Sequence, residues 1–117
     1  CVANTMAEIC ENVGADWSEI IPSLKLDKRI GEFSYLKPGL GIGGGNIERD
    51  LNTIVQISDT HQTDGGVVKA WIKNSAHRKE WAWKILSTKI LTKTPNARIG
   101  VLGLAYKENT HSKKLVW

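Results

Sequence analysis

Five glycines fall within seven residues, Gly39, Gly41, Gly43, Gly44 and Gly45 in the stretch GLGIGGGNIERDL, and no regular element runs through such a stretch. Glycine has no Cβ, so the backbone there turns freely and approaches other groups closely. Three readings follow: a phosphate cradle, a dinucleotide fingerprint, or a catalytic loop that has lost its nucleophile. Gly39, Gly41 and Gly44 satisfy G-x-G-x-x-G, but that spacing has meaning only when a buried strand leads into it and a helix opens from it. Lys37 and Pro38 precede the loop instead, and the upstream GEFSYL is too polar for a central parallel strand. No Gly-Lys-Ser/Thr follows, which removes the Walker pattern. What remains is a loop leading into a helix for which Asn46 is a good N-cap, and the N–H groups of such a terminus suit an anion or a polarised carbonyl. A loop that simply packs tightly is the alternative.

On either side of the glycines the periodicity is helical. Val2, Thr5, Met6, Ile9, Cys10 and Val13 form the stripe of an amphipathic helix, closed by Gly14. Nothing before Val2 caps that helix, so the chain reads as a piece of something longer, entering in mid-helix. Asp16 with Glu19 three residues on predicts a capped second helix through Trp17, Ile20 and Ile21, which Pro22 is expected to kink or end. Residues 26–46 are irregular. Ile47, Leu51, Ile54 and Val55 share a face of a third helix, and Asp64, Gly65 and Gly66 break the chain. A fourth helix is predicted over Val67 to Leu91, well beyond the average of about 11 to 12 residues. Its Trp71, Trp81 and Trp83 point in different directions, which implies burial on several sides. Thr94, Pro95 and Asn96 end it, and Ile99 to Leu104 read as a short buried strand that needs a pairing partner.

The 117 residues suffice for one modest domain, with an ordinary apolar and charged balance. No window approaches the roughly 18 apolar residues of a membrane span and no signal peptide is visible, so a cytoplasmic protein is expected. Cys1 and Cys10 are separated by roughly 13 to 14 Å of helical rise, beyond the roughly 7 Å reach of a disulfide, and are expected as free thiols. His61, His77 and His111 form no ligand spacing with them, and no metal site is expected. Charge is uneven: residues 1–65 carry five Lys/Arg against ten Asp/Glu, and residues 66–117 carry eleven against two. A basic half faces nucleic acid, an anionic metabolite or an acidic protein surface, or is a solvated lysine-rich helix.

Taken in order, NTMAEICENVGADWSEI, LDKRIG, YLKPGLGIGGGNIERDL, IKNSAHRK and RIGVLGLAYKENT closely resemble the UDP-glucose/GDP-mannose dehydrogenase family over nearly the whole chain. The resemblance implies a mainly α fold. Residues 1–96 would be the helical middle domain, with one long helix at a dimer interface, and residues 97–117 the truncated start of the C-terminal domain with its first β-strand. It also implies a chemistry, the oxidation of a nucleotide sugar's C6 alcohol to an acid with NAD. Family enzymes use a loop reading Gly-Gly-Ser-Cys-x-x-Lys-Asp, whose cysteine thiolate traps the aldehyde. The aligned residues here are Gly43, Gly44, Gly45, Asn46, Ile47, Glu48, Arg49 and Asp50. Asn46 thus holds the cysteine position, and an amide does not take that role.

By the same resemblance Asp50 matches an aspartate that orients water and base chemistry, and Tyr35, Leu36 and Lys37 match a segment lying along the sugar nucleotide. Gly43 and Gly44 belong to the substrate loop. Arg29 matches an arginine that reaches substrate across the subunit interface, and Lys107 matches a substrate-binding lysine. The family's Thr-Asp-Asp-x-Arg becomes Thr110, His111, Ser112, Lys113 and Lys114, so Lys114 offers a cofactor phosphate only a point charge.

The leading reading is a portion of a nucleotide-sugar 6-dehydrogenase that contributes substrate-loop residues and a dimer interface, binds nucleotide sugar weakly and NAD not tightly, and is inactive by itself. A second is a non-catalytic helical dimerisation module descended from such an enzyme. A third, a basic nucleic-acid binder, is disfavoured because Lys69, Lys73, Lys84 and Lys89 are spread around the helix rather than forming one stripe.

Overall fold

In a computed structural model of the chain, residues 1–102 are described. They form α1 (Val2–Val13), α2 (Trp17–Leu26), α3 (Gly45–Thr60), α4 (Gly66–Lys79), α5 (Trp81–Ile85) and a π-helical turn, Leu86–Leu91. No strand occurs among the described residues. The helices fall into two compact units, one of Cys1–Gly39 and one from Leu40 onward.

The first unit is a helical hairpin. Gly14 donates its N–H to the Cys10 carbonyl and ends α1. Asp16 then caps α2, its Oδ1 accepting from the Ser18 backbone N–H at 2.8 Å and the Ser18 hydroxyl at 2.7 Å. The expected Asp16 cap is formed, with Ser18 as its donor. Those two hydrogen bonds hold the Asp16 carboxyl below its ordinary value. Ala7, Cys10 and Trp17 are buried together, with Ala3, Ile21 and Leu24 packed against them.

The expected packing face of α1 is not the buried one, and Pro22 does not end α2. The buried face of α1 is Ala3, Ala7 and Cys10, whereas Val2, Met6, Ile9 and Val13 of the expected stripe are exposed. Two apolar stripes lie side by side on this helix, and the small-residue one lets α2 approach. Pro22 neither ends nor divides α2, which continues to Leu26. Proline removes only its own bond to the Ser18 carbonyl, while Ile21 and Leu24 pack on the core on either side of it.

In the second unit α3 packs against α4. Among the described residues the unit buries Leu51, Ser58, Gly65, Ser75 and Arg78. The turn between the helices is closed by Ser58 Oγ donating to the Thr63 carbonyl at 2.9 Å. The guanidinium of buried Arg78 lies 4.7 Å from the centroid of the Trp81 ring, a cation–π contact.

The helix expected as one piece over 67–91 is three segments: α4 ends at Lys79, α5 starts at Trp81, and the last turn is π-helical. Ser87 Oγ and Thr88 Oγ1 donate to the Lys84 carbonyl at 3.1 and 2.6 Å, and Thr92 Oγ1 donates to the Ser87 carbonyl at 2.7 Å. Hydroxyls competing for carbonyls widen and bend a helix, which explains the loss of regular geometry. Trp71 and Trp83 are 42% and 58% exposed, so the wide burial expected of the tryptophans is absent in the single chain. The expected strand is not formed over residues 99–102, where Ile99, Val101 and Leu102 are exposed; the rest of it lies outside the described residues.

Candidate functional site

The glycine loop is built against α4. Gly41 sits at φ 93°, and a Cβ there would lie 2.8 Å from the Ser75 carbonyl oxygen and 3.0 Å from its Oγ. The next residue, Ile42, donates its N–H to Ser75 Oγ at 2.8 Å. Gly44, at φ 89°, is the N-cap of α3 and supplies no side-chain acceptor. The helix therefore begins at Gly45, earlier than expected. Asn46 stands inside the first turn rather than at the cap, because glycine adopts the left-handed geometry that starts the helix two residues upstream.

Asn46 and Asp50 are both exposed and four residues apart on α3, hence on one face, one turn apart. Asp50 Oδ1 accepts from Arg49 Nε at 3.2 Å and from Arg49 Nη2 at 3.1 Å. Glu48, in the same first turn, is ion-paired with Lys79 of α4. Gly43 and Gly44 are half-buried beneath this arrangement. The result is a helix N-terminus carrying an exposed amide and an exposed carboxylate, a setting for hydrogen bonding to a polar ligand.

Arg29, Tyr35, Leu36 and Lys37 belong to the first unit. Leu36 accepts a hydrogen bond from Trp17 Nε1 at 2.9 Å, and Asn4 Oδ1 accepts from the Gly39 N–H at 2.8 Å. The strap is thus tied at two points to the helical hairpin. Tyr35 is 84% exposed and Lys37 is exposed. Between strap and helices lies an open cleft of about 580 Å³ whose walls include Cys10, Trp17, Ile21, Lys25, Tyr35 and Lys37. Arg29 is forked on Asp27, with Nη2 at 2.6 Å and Nε at 3.1 Å from its carboxylate oxygens. The guanidinium holds the Asp27 carboxyl below its ordinary value, and the same contact raises that of Arg29.

The carried-over residues thus fall into two groups, Arg29 with Tyr35 to Lys37 and Gly43 to Asp50, one in each unit. Lys107 and Lys114 lie outside the described residues. Sequence reasoning missed Ser75 and Lys79. The segment IKNSAHRK carries both at an i, i+4 spacing, but only the fold shows that they face the loop.

The family described as "UDP-glucose/GDP-mannose dehydrogenase family, central domain" matches residues 1–76. The chain is 36% identical over 109 residues to UDP-glucose 6-dehydrogenase TuaD of Bacillus subtilis (strain 168), covering 92% of this chain and 23% of that protein. It is 34% identical to UDP-glucose 6-dehydrogenase YwqF of the same organism, with 92% and 24% covered. The rat (Rattus norvegicus) UDP-glucose 6-dehydrogenase is 30% identical, with 92% and 22% covered. The chain spans about a quarter of the length of these relatives. No solved structure matches it.

Proposed function

Because this chain belongs to the UDP-glucose/GDP-mannose dehydrogenase family, we propose that it is the central portion of a nucleotide-sugar 6-dehydrogenase and that its glycine loop meets the sugar of the substrate. The observation that carries this reading is the loop itself. The family pattern lies at Gly43 to Asp50, and its nucleophile position, Asn46, stands exposed in the first turn of α3. Backbone N–H groups of that turn and the Asn46 amide hold a carbonyl or hydroxyl oxygen of the sugar. Asp50, one turn further, accepts a proton or orients a water.

Asn46 sets the limit of this chemistry. An amide nitrogen has no nucleophilic lone pair comparable to a thiolate, so no thioester forms at this position. The glycine loop does not fit the dinucleotide fingerprint. Gly41, the middle glycine of the fingerprint spacing, turns its open side toward Ser75, and no strand leads into the loop. NAD would supply the hydride acceptor in this chemistry.

Exposed Trp71 and Trp83, with Val2, Met6, Ile9 and Val13 on α1, support a second reading in which the chain also pairs with a copy of itself. Light scattering at tens of micromolar that gives a monomer mass removes this second reading.

Calorimetry at low salt tests the first. UDP-glucose binds with a dissociation constant of roughly a millimolar, about −4 kcal/mol, and added salt weakens it. Submicromolar binding contradicts the account, as does the absence of heat at roughly ten times that concentration. Tight, sequence-independent DNA binding with a steep salt slope would replace it with the nucleic-acid reading.

A further inference from the structure

The segment that carries the family's nucleophile position is anchored at both ends by one turn of α4. Upstream of it, the Ile42 N–H is held by Ser75 Oγ at 2.8 Å, and Ser75 is only 4% exposed. Downstream, Glu48 in the first turn of α3 is paired with Lys79. Ser75 and Lys79 are four residues apart and so project from the same side of α4. Residues 43–47, with Asn46 among them, span the interval between the anchors. Beneath the anchors lies a cavity of about 140 Å³ bordered by Ile42, Glu48, Leu51, Ile72 and Ser75. The hydrogen bond, the ion pair and the close approach of Gly41 to Ser75 together set where the loop stands. Gly41 completes the fit, because any side chain there meets the Ser75 carbonyl at 2.8 Å.

We propose that Ser75 and Lys79 are positioning residues for the glycine loop, fixing where Gly43 to Asn46 stand before a sugar arrives. The proposal rests on the substrate-loop reading above. Neither residue touches the sugar; each acts through the backbone or through Glu48. A preorganised loop loses little freedom on binding, so loosening it weakens the ligand without removing any ligand contact.

Amide exchange and amide chemical shifts of the full 117-residue chain test this, with Ser75→Ala, Ser75→Thr and Lys79→Gln. Ser75→Ala speeds exchange at Ile42 by roughly tenfold, the factor for loss of one hydrogen bond. Gly43 to Asn46 shift with it, while protection at the Ser58 to Thr63 turn is unchanged. Ser75→Thr restores the hydroxyl, and the adjoining cavity takes its methyl group, so exchange at Ile42 returns to within about threefold of the parent value. Lys79→Gln shifts Asn46 and Ile47 more than Ile42. UDP-glucose affinity falls roughly three- to tenfold in Ser75→Ala and recovers in Ser75→Thr.

Unchanged exchange at Ile42 in Ser75→Ala overturns the proposal, and so does a Thr variant no better than Ala. Loss of protection spread evenly over α3 and α4 also overturns it, since that marks a structural role alone. Should Ser75→Ala fail to fold, Lys79→Gln decides by the Asn46 shifts. A parent chain that binds UDP-glucose while Ser75→Ala binds it equally well defeats the positioning role alone. A parent chain with no UDP-glucose response at Gly43 to Asp50 defeats the functional reading instead.

Discussion

The two units bury different things. Residues 1–39 are held by an apolar cluster of Ala7, Cys10 and Trp17, whereas the buried residues described in the second unit are Leu51, Gly65 and the polar Ser58, Ser75 and Arg78. Apolar burial is non-directional and tolerates adjustment. Buried hydrogen bonds have fixed lengths and directions, and breaking one leaves a partner unsatisfied. The first unit is thus a scaffold that presents a strap. The second uses Ser58 and Ser75 to fix a turn and a loop in place, and that loop is the one proposed to meet the sugar.

Replacing Trp17 breaks the comparison on the scaffold side and has the largest expected effect. Trp17→Ala removes the largest core side chain and the bond to the Leu36 carbonyl. It costs about 3 to 5 kcal/mol in denaturant unfolding and frees Tyr35 to Lys37. A loss below about 1 kcal/mol would show that the apolar cluster is not what holds this unit.

Gly41→Ala probes the other side. Its Cβ meets the Ser75 carbonyl at 2.8 Å in a left-handed conformation, which costs about 1 to 3 kcal/mol. The amides of Ile42 to Asn46 shift, while those of α1 and α2 do not. Equal shifts in both units would erase the distinction drawn between them.

Acid sharpens the comparison with a smaller effect. Asp16 and Asp27 both have folded-state values lowered from 3.8, Asp16 by its bonds from Ser18 and Asp27 by those from Arg29. A lowered carboxylate stabilises the fold above the unfolded value, and that stabilisation is lost as pH falls through the folded value. The α1–α2 hairpin therefore weakens below about pH 3.8, and Asp16→Asn flattens that dependence. Thermal melts followed by hairpin amides at several pH values check this. A hairpin that gains stability as pH falls through this window would refute the assignment.

Much of this was legible in the sequence. The helical periods, the Gly14 stop, the Asp16 cap, the break at Asp64 to Gly66 and the family motif all depend on residues close together in the chain. What was not legible depended on partners elsewhere. Periodicity marked Val2, Met6, Ile9 and Val13 as the packing face of α1, yet the partner helix chose the small stripe of Ala3 and Ala7. Asn46 has the stronger capping side chain, but Gly44 takes the cap because only glycine suits its backbone. Helix propensity ran through 67–91, where hydroxyls at Ser87, Thr88 and Thr92 compete for carbonyls. At the candidate site the motif gave Asn46 and Asp50, but Ser75 and Lys79 gain their meaning only from the packing of α4 on the loop.

The most direct test of the account is a residue-resolved map of amide shifts as UDP-glucose is titrated into the chain. The account predicts that the largest changes fall on Gly43 to Asp50 and that they saturate in roughly the millimolar range. Changes confined to the basic residues of α4 and beyond, around Lys73, Lys84 and Lys89, with the glycine loop silent, would contradict it.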